Sequence, residues 1–248
     1  MAYRTHLDDL WEQQIRPDGR TPHELRNITC QMGIFHPQAS GSASFNIGNT
    51  KVMAAVYGPH EVRSSQKKHH NPDKMIINCE YSSATFSSNE RKSSTKADRK
   101  SMEISSNLRS VMEHIIIPDI FPGSQIDVYV ELLQDDGGSY SACINAATLA
   151  LVDAGIPIRD YAVAITATMS HSVCMVDINA QERGQCAELT IGVLAQSNEI
   201  IVLELANLLQ NFYLKDVLDE GIKGCAAIYK ILEEAVRQKF NKMEQSLV

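Results

Sequence analysis

The chain has 248 residues, 44% of them hydrophobic and 21% charged, and a formal net charge of −7. That length can bury a core without disulfide or metal staples, and the composition excludes wholesale disorder and a collagen-like chain. The acidity speaks against a protein that coats duplex DNA or an anionic membrane with its whole surface, although a net charge is blind to a local basic patch. No apolar run approaches the ~18 residues of a membrane span and no secretory leader is recognised, so a soluble intracellular protein with no membrane partner is expected. The cysteines, Cys30, Cys79, Cys143, Cys174, Cys186 and Cys225, form no C-x-x-C pair and lie near no histidine at zinc-finger spacing. Reduced, mostly buried thiols are therefore expected.

In chain order, apolar alternation predicts strands over 42–47, 52–57, 75–81, 126–133, 162–169, 173–178, 188–193 and 199–205. Three helices are predicted from apolar stripes at steps of three and four. Ile104, Leu108, Val111, Met112, Ile115 and Ile116 form one, stopped by Pro118. Cys143, Ala146, Ala147, Ala150, Leu151 and Ala154 form the second, ended by Gly155 and Pro157; its small residues predict close packing on a neighbour. Ile228, Ile231, Leu232, Ala235, Val236 and Phe240 form the third. Strands and helices interleave without a Pro/Gly linker, which predicts one α/β domain over 1–248. The serine-rich, basic stretch 82–100 reads by composition as a solvated loop.

Three constellations could carry chemistry. Arg63, Lys67, Lys68 and Lys74 follow one strand, and Arg91, Lys92, Lys96, Arg99 and Lys100 lead into the first helix, against Asp73, Glu80, Glu90 and Asp98. A segregated cationic region on an acidic protein suits a polyanion, because each phosphate neutralised releases counterions; the alternative is a charged, solvated loop. Asp136-Gly137-Gly138-Ser139 opens the small-residue helix, where free N–H groups could receive a phosphate, although Ser139 could equally cap the helix. Asp177 ends a strand and precedes Glu182 and Arg183; such carboxylates could hold a metal or act as a general acid, or Asp177 could simply form a turn. The Gly48-Asn49-Thr50-Lys51 run lacks the first glycine of a P-loop, and no G-x-G-x-x-G occurs.

Taken together, Arg16-Pro17-Asp18-Gly19-Arg20, Gly41-Ser42-Ala43, Gly48-Asn49-Thr50-Lys51, 56–61, Glu90-Arg91 with Arg99-Lys100, Asp136-Gly137-Gly138 and 153–157 resemble, in order and spacing, the ribonuclease PH family. The resemblance covers about residues 15–240. It implies an α/β, ribonuclease PH-like β-α-β-α fold with two similar halves. It also implies a six-membered ring of such subunits, as in the RNA exosome, through whose channel single-stranded RNA threads 3′ end first. Cap subunits with RNA-binding domains and a hydrolytic 3′–5′ nuclease are the further partners implied, with RNA degradation and rRNA processing in the nucleus, nucleolus and cytoplasm.

Active members of the family use inorganic phosphate to release nucleoside diphosphates from the RNA end. By resemblance, Arg63, Lys67, Lys68, Arg91, Lys92, Lys96, Arg99 and Lys100 contact RNA, and Gly137, Gly138, Ser139 and Ser141 form a vestigial phosphate site. The vestigial catalytic set is Ser139, Tyr140, Asp177 and Arg183. Active members carry Arg where this chain has Tyr140 and a second Asp where it has Arg183. Losing a bidentate cation costs about 2–5 kcal/mol and losing a general acid ~10²–10⁴ in rate. The expectation is therefore a non-catalytic, RNA-threading subunit that is not an enzyme and needs no metal or cofactor. The alternative is an active phosphorolytic exoribonuclease in which Arg183 or Arg159 supplies the missing cation.

Overall fold

A computed structural model describes residue 16 and residues 18–62, 75–88, 98–170, 173–183 and 186–247. The first sheet contains β1 (Ile28–Met32), β2 (Gly41–Ile47), β3 (Thr50–Glu61), β4 (Ile76–Ser83) and β5 (Ser124–Gln134), in the order β1-β2-β3-β5-β4. Its pairs are antiparallel except β4 with β5, whose parallel pairing needs a crossover. Helix α1 (Arg99–Ile115) lies in that crossover and packs on β4. The second sheet is antiparallel, with β6 (Ala162–Ser170), β7 (Val173–Val176), β8 (Ala187–Leu194) and β9 (Ile200–Ala206) in the order β7-β6-β8-β9. Helix α2 (Ser139–Asp153) joins the two sheets, α3 (Ala180–Arg183) is a single turn, and α4 (Asn211–Leu247) covers β6. The β-α-β-α order expected of the chain is present.

Helix α2 explains why the small-residue stripe is small. It packs against β2 and β3 on one side and β6 and β8 on the other, and every residue from Ser141 to Leu151 is buried. A helix buried all round carries no amphipathic face. Polar side chains in such a helix must find partners inside, and Asn145 and Thr148 do. The Asn145 amide exchanges two bonds of 2.9 Å with the Ala164 backbone, and Thr148 Oγ1 donates to Ala162 O at 3.0 Å. At its far end, Asp153 accepts the Ser42 N–H at 2.9 Å and pairs with Lys239 of α4.

Three sequence expectations shift. Strand β1 is present although no strand was predicted there; its Ile28, Cys30 and Met32 alternate with exposed Thr29 and Gln31 over only five residues. Helix α4 begins at Asn211, well before the predicted stripe, because Gly221 and Gly224 interrupt the pattern where the helix runs closest to the sheet. A side chain at Gly224 would come within 2.7 Å of Ile165 Cδ1, and one at Gly221 would overlap Ile191. Not all of the serine-rich stretch is solvated: Ser83 and Ser87 are buried at the end of β4, while 89–97 lie outside the described residues. Of the thiols, Cys143 and Cys225 are buried and the other four half-buried, all unpaired.

Gly41 tests the packing of β2 on α2, since a Cβ there would overlap the backbone at Ala150 and Ala154. Gly41→Ala is expected to lower stability by about 1–3 kcal/mol or more, read as a fall in the urea midpoint at constant slope.

Candidate functional site

The N-terminal strap, the β7–α3 turn and the loop before α2 meet around one carboxylate. Asp177 has φ +57, a conformation unusual for a side-chain-bearing residue, and is 2% exposed. Its carboxylate accepts the Arg26 backbone N–H at 2.7 Å, Arg26 Nε at 3.0 Å and Arg26 Nη2 at 2.6 Å, with Arg20 Nη1 at 3.3 Å. Its carbonyl accepts Arg16 Nη2 at 2.8 Å and Arg20. Arg16, itself 1% exposed, also forms a two-pronged pair with Glu182 at 2.8 and 2.5 Å and donates to Val176 O at 2.8 Å. The Glu182 carboxylate in addition takes the Asn179 N–H at 3.0 Å.

Asp177 and Glu182 are thus saturated by arginines and backbone donors in a buried position. The Asp177 lone pairs face inward, which favours the turn-forming alternative for this residue over a free acid, and neither carboxylate lines the cavities described below. Among the described residues, no group of three His, Cys, Asp or Glu side chains is placed to hold a metal ion.

The same network holds the diglycine loop. Arg26 Nη1 donates to Asp136 O at 2.8 Å and Nη2 to Gly137 O at 3.2 Å, and Thr50 Oγ1 donates to Gly137 O at 2.8 Å. Asn49 Nδ2 reaches Asp136 Oδ2 at 3.0 Å. Gly137 has φ +86, and a Cβ there would stand 2.5 Å from Ile178 O, so this glycine is required by the turn it packs on, with no ligand needed to explain it. Gly138 is the N-cap of α2 in the left-handed conformation, and no side chain caps the helix. Ser141 turns its hydroxyl inward to Gly138 O at 2.8 Å and is buried. Of the expected phosphate set, therefore, Ser139 faces open space, whereas Gly137, Gly138 and Ser141 are buried within the fold.

That space is a cavity of about 140 Å³ lined by Ser139, Tyr140, Lys100, Arg183, Glu103, Glu188, Glu204 and neighbours. It leads along the groove between α1 and β9 into a second of about 290 Å³, which shares Tyr140, Glu103 and Glu204 and reaches His114. Lys100 stands in the first turn of α1, which carries no acid there; two cations, Arg99 and Lys100, sit where the helix dipole disfavours them by roughly 0.3–1 kcal/mol each.

Arg183 enters the cavity from α3, anchored by Glu188 at 3.0 Å and Asp135 at 3.5 Å. Tyr140 lies between the two cavities with its hydroxyl buried and, among the described residues, without a hydrogen-bond partner. Burial, with Glu204 and Cys143 adding to it, pushes this phenol well above its ordinary value, so it remains a proton donor. Burial, then Glu103 and Glu188, also pushes Glu204 upward, with Lys100 opposing.

The structure therefore brings Ser139, Tyr140, Arg183 and Lys100 together, leaves Arg99 exposed beside them, and places Asp177 in the buried arginine network. Arg63, Lys67, Lys68, Arg91, Lys92 and Lys96 lie outside the described residues. Arg159 lines a further depression that shares His114 with the second cavity and does not line the Ser139 cavity, whose cations are Lys100 and Arg183. Glu103, Glu188 and Glu204 were missed from sequence; they come from three different elements, and only the Arg183–Glu188 spacing lay close in the chain.

Residues 24–157 match the model of the 3′ exoribonuclease family, domain 1, known as RNase PH. The chain is 43% identical over 242 residues to the mouse exosome complex component RRP41, covering 97% of this chain and 98% of that protein. It is 37% identical over 237 residues to the exosome complex component Rrp41 of Pyrococcus horikoshii, covering 95% and 94%. The fold is similar to that of rice Rrp46, at a TM-score of 0.78 and 24% identity over 89% of this chain and all of that one. It is likewise similar to a chain of the Archaeoglobus fulgidus exosome with RNA bound to the active site, at 0.77 and 21% identity, covering 91% and 95%. The chain belongs to the ribonuclease PH family.

These relationships overturn the expectation that the chain is not an enzyme. The matching family is one of 3′ exoribonucleases, and the similar proteins, from mouse to an archaeon, carry the name Rrp41. The physical argument behind that expectation treated position 183 as a lost acid, whereas in the fold Arg183 brings a cation to the Ser139 cavity.

If Asp177 is the keystone of a buried network, Asp177→Ala should cost about 3–5 kcal/mol by leaving Arg26 unpaired. A urea titration showing a change within about 0.5 kcal/mol, as for an ordinary surface carboxylate, would contradict this placement.

Proposed function

We propose that this chain is an RNA-binding subunit of an exosome-type ring and acts there as a phosphate-dependent 3′–5′ exoribonuclease. One observation carries the reading: Lys100, Arg183 and the uncapped N-terminus of α2 at Ser139 converge on one open cavity. Helix N-terminal N–H groups and cations together suit phosphate groups, and the cavity continues into a groove rather than closing around a small molecule. In the reaction, a phosphate oxygen attacks the terminal phosphorus, the bond to the preceding 3′ oxygen breaks, a nucleoside diphosphate leaves, and that oxygen takes a proton. Both reactants are anions, so the cations serve chiefly to hold them together and to stabilise the charge that develops.

The ring is supported by β9, an edge strand whose Ile200, Leu203 and Leu205 are exposed and which is followed by exposed Leu208 and Phe212. Unpaired edges with apolar side chains call for a covering partner. Further ribonuclease PH-like subunits, caps with RNA-binding domains and a hydrolytic nuclease complete the proposed complex, acting in RNA degradation and rRNA processing in the nucleus, nucleolus and cytoplasm. The finer likeness of the 78–87 run to the subunit called exosome component 4 belongs to the same proposal; the relatives bear the name RRP41.

The test incubates the assembled complex with 3′-labelled RNA and inorganic phosphate. Phosphate-dependent release of nucleoside diphosphate is expected, lost in Lys100→Glu and raised at least tenfold in Tyr140→Arg, which restores a two-pronged cation. Absence of nucleoside diphosphate in every form sinks the reading. Lys100→Glu should also lower the salt dependence of RNA binding by about 0.7 in log–log slope.

Glu204 supplies a pH test. Its raised carboxyl stays neutral at pH values where an ordinary glutamate is already charged, so RNA binding should strengthen as pH falls through that raised range and weaken as it rises. Glu204→Gln should bind a few-fold more tightly near neutral pH and lose most of this dependence, measured by fluorescence anisotropy.

A further inference from the structure

The loop that leads into α2 has little with which to hold itself, since two of its four residues over 135–138 are Gly137 and Gly138. It is held from outside. One guanidinium, that of Arg26, donates to Asp136 O, Gly137 O and Ile178 O at 2.8, 3.2 and 3.3 Å while gripping Asp177 at 2.6 Å. It thereby ties together the 24–27 strap, the 135–138 loop and the 177–179 turn. The side chain is 7% exposed and lines neither cavity of the groove, so it touches no ligand there. Gly48 makes room for its stem, because a Cβ at Gly48 would stand 2.6 Å from Arg26 Cδ.

What hangs on this junction is the cavity. The 177–179 turn leads directly into α3, whose Ala180 N–H reaches Asp136 Oδ1 at 3.4 Å and whose Arg183 faces Asp135 at 3.5 Å. The loop leads directly into Ser139. The Ser139-to-Arg183 spacing is therefore fixed through segments that Arg26 clamps on both sides.

We infer that Arg26 is a positioning residue for the Ser139 cavity, setting the first turn of α2 against Arg183 without itself meeting RNA or phosphate. Its catalytic consequence rests on the proposed function; its geometry does not. Arg16 and Glu182 form the neighbouring pair that anchors α3 to the strap, and they leave the diglycine loop untouched. Arg26 alone among the three strap arginines reaches that loop in the described hydrogen bonds.

Arg26→Lys separates positioning from plain stabilisation. A lysine keeps the charge opposite Asp177 but, as a point donor, cannot span three carbonyls and a carboxylate at once. In the full complex, amide exchange over 136–141 and 178–183 should quicken at least tenfold, while the core amides of β2 and β3 change less than twofold. Phosphorolysis should lose roughly 10–100-fold in kcat with KM for RNA moving less than threefold, because Arg99 and Lys100 are untouched.

Gly48→Ala keeps the arginine but displaces its stem, and should reproduce the same local exchange pattern if Arg26→Lys fails to fold. Exchange that rises equally in β2, β3 and the loop, or stays unchanged at 136–141, overturns the inference. A wild-type complex that releases no nucleoside diphosphate overturns the proposed function instead, and the exchange map still decides the role of Arg26.

Discussion

The buried arginine cluster around Asp177 is the constraint on which the functional end of the molecule depends. Asp177 sits in a left-handed conformation that costs about 1–3 kcal/mol, and three arginines from one short strap converge on its carboxylate and carbonyl. Charges so deep in a protein add little net stability over an apolar replacement, because desolvation offsets their attraction. What they supply is uniqueness of arrangement: a guanidinium with five directed donors fits one geometry of its surroundings and no other.

That specificity is spent on a junction, not on the core. The core of the two sheets and α2 is apolar and continuous. The diglycine loop is different. It must approach the 178–179 backbone too closely for any side chain at Gly137, so no apolar contact of its own can fix it. Hydrogen bonds from Arg26 and from the adjacent pair Asn49 and Thr50 do so instead, and they come from two separate stretches of chain.

The groove beyond the junction is electrostatically divided. Lys100 and Arg183 line it together with Glu103, Glu188 and Glu204, and burial, then Glu103 and Glu188, push Glu204 toward its neutral form. A polyanion entering here meets cations and carboxylates in the same cavity. Tyr140, protonated and without a partner among the described residues, is the neutral donor between the two. The balance lets small changes of charge alter binding strongly, because all these groups share one confined space of low polarisability.

The sequence by itself determined the strands from their alternation, the helices from stripes ending at Pro118 and Gly155, the small-residue helix as a close-packed one, and the family from its ordered motifs. Those features are local, or depend on order along the chain. It could not determine why the motifs exist. Arg16 to Arg20, Gly48 to Lys51, Asp136 to Gly138 and Asp177 read as separate signatures, and Asp177 in particular stayed open between an acid for chemistry and a turn former. Only the tertiary structure decided that residues up to 166 positions apart meet as one saturated network, that Arg183 faces Ser139, and that three acids from α1, β8 and β9 share their cavity. The physical reason is that a hydrogen bond or a pKa depends on what the chain brings within a few ångströms, and no periodicity encodes contacts between distant segments.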